Sequence, residues 1–178
     1  MMIAIRRRRR QSGNVLIEAA LGLLILVAVF SGTFDFGFTF WQYNALQTAV
    51  NNGAHYAAQL AWDYCSTCTL RSAGDMTTAY ESAVRNEVVY GDPTGTLTKP
   101  VLTGLKTSNI TVTANNQTGG LKVPSSITVT LGADSNGNYY TISSLWGASN
   151  FFWKGVSMTL NGKPSVTYPF QGFVTAGY

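Results

Sequence analysis

The chain has 178 residues, with twelve Lys and Arg against eight Asp and Glu. Five of the twelve bases are the consecutive arginines Arg6 to Arg10, which leaves seven bases facing eight acids from Asn14 onward. A nucleic-acid partner needs a basic face on the folded domain, so this distribution argues against nucleic-acid binding.

An apolar segment follows the arginines and predicts a membrane span. Ala19 to Phe34 is a run of sixteen residues without a charge, and the apolar character extends from Val15 to Trp41 once Glu18 and Asp35 are allowed. About 20 helical residues are needed to cross the hydrocarbon of a bilayer, so one tilted helix fits. No small-residue cleavage pattern of the secretory type follows, which favours an anchor over a cleaved secretion signal.

The arginines predict the orientation of this span, because positive charge stays on the cytoplasmic side. The basic run consists of Arg6, Arg7, Arg8, Arg9 and Arg10. Residues 1–13 are therefore expected to be a cytoplasmic leader and residues 14–41 a transmembrane helix. Residues 42–62 would continue the helix outside, and 63–178 would form a periplasmic head on a single-pass protein of the bacterial inner membrane.

Glu18 begins the apolar run, where a carboxylate costs about 2.5 kcal/mol or more unless it is paired or reaches the interface. One interpretation is an interfacial glutamate at a helix start, where the helix dipole favours an acid. The other uses Gly13-Asn14-Val15-Leu16-Ile17-Glu18, which resembles the prepilin-peptidase site of type IV pilin-like proteins. Cleavage after Gly13 would give Asn14 a cationic amine on the helical face of Glu18, where it can neutralise the acid and set the axial register of the subunit.

Four further segments narrow this resemblance to one family. They are Glu18-Ala19-Ala20-Leu21, Phe34-Asp35-Phe36-Gly37, Ala45-Leu46-Gln47 and Gly53-Ala54-His55-Tyr56-Ala57. Together with the Gly13 site they resemble the TadE family of minor pseudopilins from tight-adherence (Tad/Flp) type IV pilus systems, chiefly over the first sixty residues. The resemblance implies other minor pseudopilins, the major pilin, the inner-membrane assembly platform and the prepilin peptidase as partners, besides the lipid bilayer.

Beyond the span the helix is predicted to continue, because no proline occurs before Pro93. A helix from Val15 to Trp62 would be about 72 Å long. Small residues recur at every fourth position, at Ala45, Ala49, Gly53, Ala57 and Ala61. Such a stripe lets a helix or a sheet approach closely, either from a neighbouring subunit or from the chain's own head.

Aromatic side chains cluster where this helix would leave the bilayer, in keeping with the preference of Trp and Tyr for the membrane interface. They are Phe34, Phe36, Phe38, Phe40, Trp41 and Tyr43. Asp35 lies among them and is expected near the outer headgroups, either paired with a neighbouring subunit or solvated.

Cys65 and Cys68 follow the long helix in a compartment that favours oxidation, so a small disulfide loop is the first interpretation. A redox site is the alternative, although Ser66 and Thr67 lie between the cysteines and no surrounding βαβ pattern indicates a thioredoxin-like domain. Zinc is not expected, because His55 is the sole histidine and no second cysteine pair completes four ligands.

The rest of the chain predicts an α+β head. Apolar residues at helical spacing indicate an amphipathic helix from Asp75 to Tyr90, which Gly91, Asp92 and Pro93 end. Four runs of alternating β-branched residues then predict short antiparallel strands around Ile110 and Val112, Ile127 to Leu131, Tyr140 and Ile142, and Val156 to Leu160. Asn136-Gly137 and Asn161-Gly162 predict hairpin turns, and Gly119-Gly120 a flexible connection.

Three features of the head receive no functional assignment. Asn109-Ile110-Thr111 and Asn116-Gln117-Thr118 fit the glycosylation triplet, which is frequent by chance. The aromatic patch of residues 146–153, with Tyr168 and Phe170 later, is either core or a contact surface.

No enzyme is predicted, and no cofactor or metal, because the sequence lacks paired carboxylates, a phosphate loop and a nucleophile motif near His55. The leading hypothesis is a minor pseudopilin-like membrane-anchored assembly factor for tight-adherence pilus biogenesis and adhesion. The alternative is an uncleaved single-pass envelope anchor with a periplasmic binding or scaffold domain. A periplasmic thiol oxidoreductase using Cys65 and Cys68 is a third hypothesis. Whether the protein enters the surface pilus stays open.

Overall fold

A computed structural model describes residues 3–65, 76–115, 123–145, 157–172 and 174–177, with the backbone alone for residues 3–12, 63–65 and 174–177. The elements, in chain order, are α1 Ile3–Gln59, β1 Trp62–Cys65, α2 Thr78–Tyr90, a 3₁₀ turn Thr107–Asn109, β2 Ile110–Asn115, β3 Ser126–Leu131, β4 Thr141–Ser143, β5 Ser157–Thr159, β6 Ser165–Pro169 and β7 Val174–Gly177. This is the α+β class expected from the sequence, with a long N-terminal helix, a second helix and a small antiparallel sheet.

The chain divides into two compact units. One comprises Met1–Phe40 and Ser143–Val156, and the other comprises Trp41–Ile142 and Ser157–Tyr178. The first unit contains the apolar part of α1, and the second contains the core of the head. The aromatic patch of residues 146–153, the Gly119-Gly120 connection, Asn116 and the side chains of both cysteines lie outside the described residues.

The predicted long helix is confirmed, but its predicted end is wrong: α1 ends at Gln59, and Trp62 begins β1. The last carbonyls of α1 are taken by partners distant in the chain. The Tyr80 hydroxyl donates to the Ala57 carbonyl, and the Gln171 N–H donates to the Ala58 carbonyl at 2.8 Å. Because these acceptors are satisfied from outside, the helix need not continue to Trp62 to pair them.

The second helix, α2, has a defined cap at each end. The Thr77 hydroxyl accepts a hydrogen bond from the Tyr80 N–H at the N-terminus, and Gly91 adopts a left-handed conformation with φ 67° at the C-terminus. This confirms the predicted end at Gly91, where the N–H donates to the Glu87 carbonyl. The start at Thr78 is three residues later than the predicted Asp75, which lies outside the described residues.

The main sheet has the strand order β2-β3-β6, and both pairs are antiparallel. In β2 the side chains of Ile110 and Val112 are buried, whereas Thr111 and Thr113 are exposed. This alternation is the predicted one and is expected of a strand with one face on the core. The edge strand β6 was not predicted; it ends in Pro169, a residue that is confined to edges because it has no N–H to donate.

Two smaller strand pairs complete the topology. β4 pairs with β5, as the predicted strands around Tyr140 and Met158 allow. β1 pairs in parallel with β7, in a register that places Trp62 opposite Val174. This pair corrects the expectation of antiparallel strands alone, because the segment that was assigned to the end of the long helix is a strand.

Of the two predicted hairpin turns, one is confirmed. At Asn136-Gly137 the chain reverses between Ala133 and Tyr139, which form an antiparallel bridge, and Gly137 has φ 81°. At Asn161-Gly162 the chain also turns, with φ 70° at the glycine, but the flanking strands β5 and β6 belong to different sheets. The second position is therefore a turn between sheets rather than a hairpin.

The core of the second unit lies between the later part of α1, helix α2 and the inner face of the main sheet. Its largest fully buried side chain is that of Trp62, which packs edge-to-face on Tyr80 with ring centroids 5.3 Å apart. The other fully buried large side chains are those of Leu46, Val50, Val84, Val88, Val89, Ile110, Ile127, Val129, Leu131 and Ile142. Burial of each such group contributes about 1.5–3 kcal/mol.

Candidate functional site

From Val15 to Phe30, the large apolar side chains of α1 are exposed in the part of the chain that the structure describes. Every large apolar side chain from Val15 to Phe30 is at least 45 % exposed, including the consecutive residues Leu23 to Val27, which point to all sides of the helix. The mean hydropathy of the most apolar 18-residue window is 2.4, and none of that window is buried. By length and composition this is a helix that can cross a membrane.

Gly13, Asn14 and Glu18 lie on consecutive turns of α1, at the start of this exposed segment. All three are exposed, and a Cβ added to Gly13 would meet nothing within 4 Å. Gly13 is inside the helix, because α1 begins at Ile3. The backbone of Arg6 to Arg10 forms the preceding turns. The proposed processing and register roles of these residues stay predictions.

Asp35 is placed differently from its prediction. Its side chain is 2 % exposed, and its Oδ1 accepts a hydrogen bond from the Leu145 N–H at 3.0 Å. One turn further along the helix, the Thr39 hydroxyl donates to the Asp35 carbonyl at 2.9 Å. The expectation of a solvated acid is therefore wrong, because the carboxylate is buried and bonded within its own chain. Pairing with a neighbouring subunit stays a prediction.

The aromatic residues around Asp35 are largely uncovered. Phe34 and Phe36 are 65 % and 74 % exposed, and Phe40 is also exposed. The rings of Phe36 and Phe40 stack with their centroids 6.4 Å apart. A buried carboxylate flanked in sequence by exposed phenylalanines is the reverse of the arrangement expected in water, where the acid would face the solvent.

The small-residue stripe is buried in its middle and only partly buried at its two ends. Ala49, Gly53 and Ala57 are buried, and Ala45 is partly buried. A Cβ added to Gly53 would lie 2.1 Å from Val88 Cγ2 of α2, so glycine is what lets the two helices approach. Ala61 is partly buried and lies after the end of the helix. The middle of the stripe thus packs against the chain's own second helix.

His55 lies on the exposed side of α1, where its ring meets Tyr168 of β6 edge-to-face with centroids 5.6 Å apart. The Tyr168 hydroxyl donates to the Asn51 side chain at 3.0 Å. These contacts join α1 to the edge strand. Among the residues that the structure describes, no group of three or more His, Cys, Asp and Glu is arranged to hold a metal ion.

Two of these relationships have no local signal in the sequence. Periodicity does not reveal the hydrogen-bond partner of Asp35. It also does not reveal Tyr80 and Gln171, which donate hydrogen bonds to the last carbonyls of α1, because each of these partners lies far along the chain. The one local signal was the charge of Asp35 inside an aromatic run, which requires compensation if it is buried.

A comparison with protein families identifies the first part of the chain. The model of the family described as TadE-like protein matches residues 13–55. Over this segment the chain is similar to TadE-like proteins. The matched residues run from Gly13 through the exposed apolar segment to His55, all within α1. No significant match was found among curated proteins or among solved structures. The TadE-like segment indicates involvement in a tight-adherence pilus system, and the apolar helix suggests membrane anchoring.

Proposed function

We propose that this protein is a non-catalytic, minor pseudopilin-like assembly factor that is anchored in the bacterial inner membrane and supports tight-adherence pilus biogenesis and adhesion. The observation that carries the proposal is that the TadE-like match contains the whole exposed apolar segment of α1. The match runs from Gly13 to His55, and the exposed large apolar side chains run from Val15 to Phe30 within it.

Exposure of the apolar segment argues for a membrane role. Each large apolar side chain that stays in water forgoes about 1.5–3 kcal/mol of burial, so an uncovered helix of this length would not persist in water. In a bilayer the same side chains are covered by lipid, and the helical hydrogen bonds satisfy the backbone. The arginines then hold the N-terminus in the cytoplasm, and the head lies in the periplasm.

Glu18 is the residue to which we assign the assembly register. It is the one charge between Asn14 and Phe34, and it is exposed, so no group of the described chain covers it. Its carboxylate at the edge of the hydrocarbon needs a cation nearby. The amine that cleavage would create on Asn14 lies one helical turn away, either in the same subunit or in the neighbour that packs against it.

Processing after Gly13 fits the local helix energetics. Glycine inside a helix is less favourable than alanine by about 1 kcal/mol, so this turn opens more readily than its neighbours. A peptidase needs such an opening, because an extended backbone must enter its active site. Removal of residues 1–13 would also remove the arginines and leave the apolar helix free to join a filament or its base.

The partners follow from this role. In the membrane they are lipid, the major pilin and other minor pseudopilins, with the inner-membrane assembly platform and the prepilin peptidase acting on the helix. Because the middle of the small-residue stripe is occupied by α2, contacts with other subunits are assigned to the exposed segment from Val15 to Phe30.

A second candidate function is an uncleaved single-pass anchor whose head serves as a binding or scaffold module at the envelope. It is favoured by the continuity of α1 from Ile3 through Gly13, which leaves the cleavage site in regular helix. In that case the arginines stay attached and the protein does not enter the filament.

The N-terminal residue of the membrane-bound protein separates the two. We would determine it by mass spectrometry in cells with and without the prepilin peptidase, and in cells carrying Gly13→Leu. The control is Gly22→Ala, since Gly22 also lies on α1 with nothing within 4 Å of an added Cβ. Processing is supported if Asn14 is the N-terminal residue of the wild type and of Gly22→Ala in cells that have the peptidase, and if Gly13→Leu and all cells without the peptidase retain the intact N-terminus. An intact N-terminus in all cells supports the uncleaved anchor.

A further inference from the structure

The segment Ser143–Leu145 meets α1 at a defined level of the helix. The hydrogen bond from the Leu145 N–H to Asp35 Oδ1, at 3.0 Å, places the backbone of Leu145 beside residue 35. Ser144, the preceding residue, is 7 % exposed, whereas the Leu145 side chain is 50 % exposed. The polar backbone of the segment is therefore turned toward the acid, and the apolar side chain that follows is turned outward.

Residue 35 lies within the predicted transmembrane residues 14–41, at the level where an untilted helix that begins at Val15 reaches the outer edge of the hydrocarbon. From Val15 to Asp35 the helix rises about 30 Å, which equals the thickness of the hydrocarbon of a bilayer. Phe34 and Phe36 are at the same level to within one residue's rise, and both are exposed by more than half. Leu145 is therefore held at the depth where the aromatic residues of α1 meet the outer membrane interface.

The large side chains exposed near residue 35 are apolar, as expected of a surface that contacts lipid. Asp35 is the one charged residue between Ala19 and Phe40, and its carboxylate is buried. What remains outside is the exposed rings of Phe34 and Phe36 and the half-exposed side chain of Leu145, continuous along the helix with the apolar span. Because a backbone N–H donates to the Asp35 carboxylate, placing this part of the chain in the membrane interface costs less free energy than it would with an unpaired acid.

We propose that Ser143–Leu145 is a second membrane contact, tied by Asp35 to the outer end of the span so that the Leu145 side chain enters the lipid interface. This contact would hold the segment Ser143–Leu145 at the membrane surface. The residue that holds it, Asp35, is 110 positions earlier in the chain than Leu145. The proposal rests on the membrane anchorage proposed above.

The test is photo-crosslinking from p-benzoylphenylalanine introduced at single positions of the full-length protein in phosphatidylethanolamine and phosphatidylglycerol vesicles. The positions are Leu145, Leu24 in the exposed apolar segment, and Thr113, which is exposed on the main sheet. Lipid adducts, identified by mass spectrometry, are expected at Leu24 and Leu145 and not at Thr113. The Leu145 adduct is expected to be lost in Asp35→Ala and retained in Asp35→Asn, whose amide oxygen still accepts the hydrogen bond.

The outcomes separate the two proposals. An adduct at Leu24 but none at Leu145, or an equal one at Thr113, overturns the second contact and leaves the anchor. Protein adducts in place of lipid at Leu145 also overturn it and identify the surface as a subunit contact. No lipid adduct at Leu24 overturns the anchor itself. An adduct at Leu145 that Asp35→Ala leaves unchanged overturns the role of Asp35 in holding the segment.

Discussion

The Asp35 carboxylate accepts a hydrogen bond from the backbone N–H of Leu145, so an acid in the middle of an aromatic run is satisfied by a segment 110 residues further along the chain. A buried carboxylate without a donor is costly, and the usual partner is a cation. Here the donor is a main-chain group. The link depends on the fold that brings Ser143–Leu145 to α1 rather than on a charged partner.

Removal of this acceptor is predicted to release the Leu145 amide. Asp35→Ala deletes the carboxylate, and a hydrogen bond to a charged acceptor is worth about 1.5–3 kcal/mol, so exchange of the Leu145 amide hydrogen should accelerate about tenfold or more. Hydrogen exchange followed by mass spectrometry measures this. Asp35→Asn is the matched control and should show a smaller change. Equal protection of Leu145 in the wild type and the Ala variant would contradict the link.

Gly53→Ala is predicted to destabilise the head, because the new Cβ would lie 2.1 Å from Val88 Cγ2. Overpacking of this kind costs about 1–3 kcal/mol, which exceeds the gain of helix propensity from replacing glycine. Thermal unfolding of the detergent-solubilised protein should show a lower Tm. Gly37→Ala, where an added Cβ meets nothing within 4 Å, is the control and should leave the Tm unchanged or higher.

The double variant Gly53→Ala with Val88→Ala checks the cause of that loss. Shortening Val88 removes the clashing methyl groups, so the double variant should lose less than the sum of the two single losses. Additive losses would show that Gly53 is required for a reason other than its contact with α2.

How far the sequence predicts this protein depends on whether a signal is local. The alternation in β2 and β3, the periodicity of α2 and its stop at Gly91 are all carried by neighbouring residues, and each was predicted correctly. The end of α1 was predicted three residues late, because the side chain of Tyr80 and the backbone of Gln171, which satisfy its last carbonyls, come from elsewhere in the chain.

The candidate site follows the same rule. The exposed apolar segment is read directly from composition, and the resemblance to the TadE family is confirmed by the TadE-like match over residues 13–55. The processing role of Gly13 and the register role of Glu18 stay predictions. The parallel pair of β1 and β7 and the burial of Asp35 were not predicted from the sequence. Both depend on contacts between residues that are more than 100 positions apart in the sequence. No local pattern encodes which segment will arrive beside a given residue.

The loop that follows α2 is predicted to remain ordered in acid. The Thr94 and Thr96 hydroxyls donate to the Asp92 carboxylate, each at 2.6 Å, and together with the Thr94 and Leu97 N–H groups they hold the pKa of Asp92 well below its usual range. A lowered pKa means that the carboxylate stabilises the loop above the unfolded value near 3.9 and that this contribution is lost only as the pH falls toward the folded value.

An NMR titration of the Thr96 amide measures this behaviour, since its N–H donates to Asp92 Oδ2 at 2.9 Å. The chemical shift should stay constant from neutral pH to about pH 4, through the usual range of an aspartate. In Asp92→Ala the Thr96 shift should be displaced at neutral pH, while the Ile127 and Val129 amides in the core strand stay in place. A midpoint near pH 4 in the wild type would contradict the lowered pKa.

Glu18→Ala is predicted to impair assembly without impairing insertion. Deleting the carboxylate makes the apolar segment easier to insert, by about 2.5 kcal/mol or more if the acid had been unpaired, so the variant should fractionate with the membrane like the wild type. The amount of surface pilus should fall, because the neighbouring subunit loses its register contact. Glu81→Ala, on α2 of the head, is the control for loss of an acid. Normal piliation with Glu18→Ala would remove Glu18 from the mechanism.

The central claim is that this protein supports assembly of a tight-adherence pilus, and the most direct measurement is the quantity of pilus sheared from cells that lack it. Cells without the protein, complemented with the wild type or with a variant truncated after Gln59 that retains the TadE-like residues 13–55, would be compared by immunoblot of the major pilin. We predict loss of surface pilin in the deletion strain and full recovery with the wild type alone, because both the helix and the head contribute. Normal pilus in the deletion strain would contradict the account.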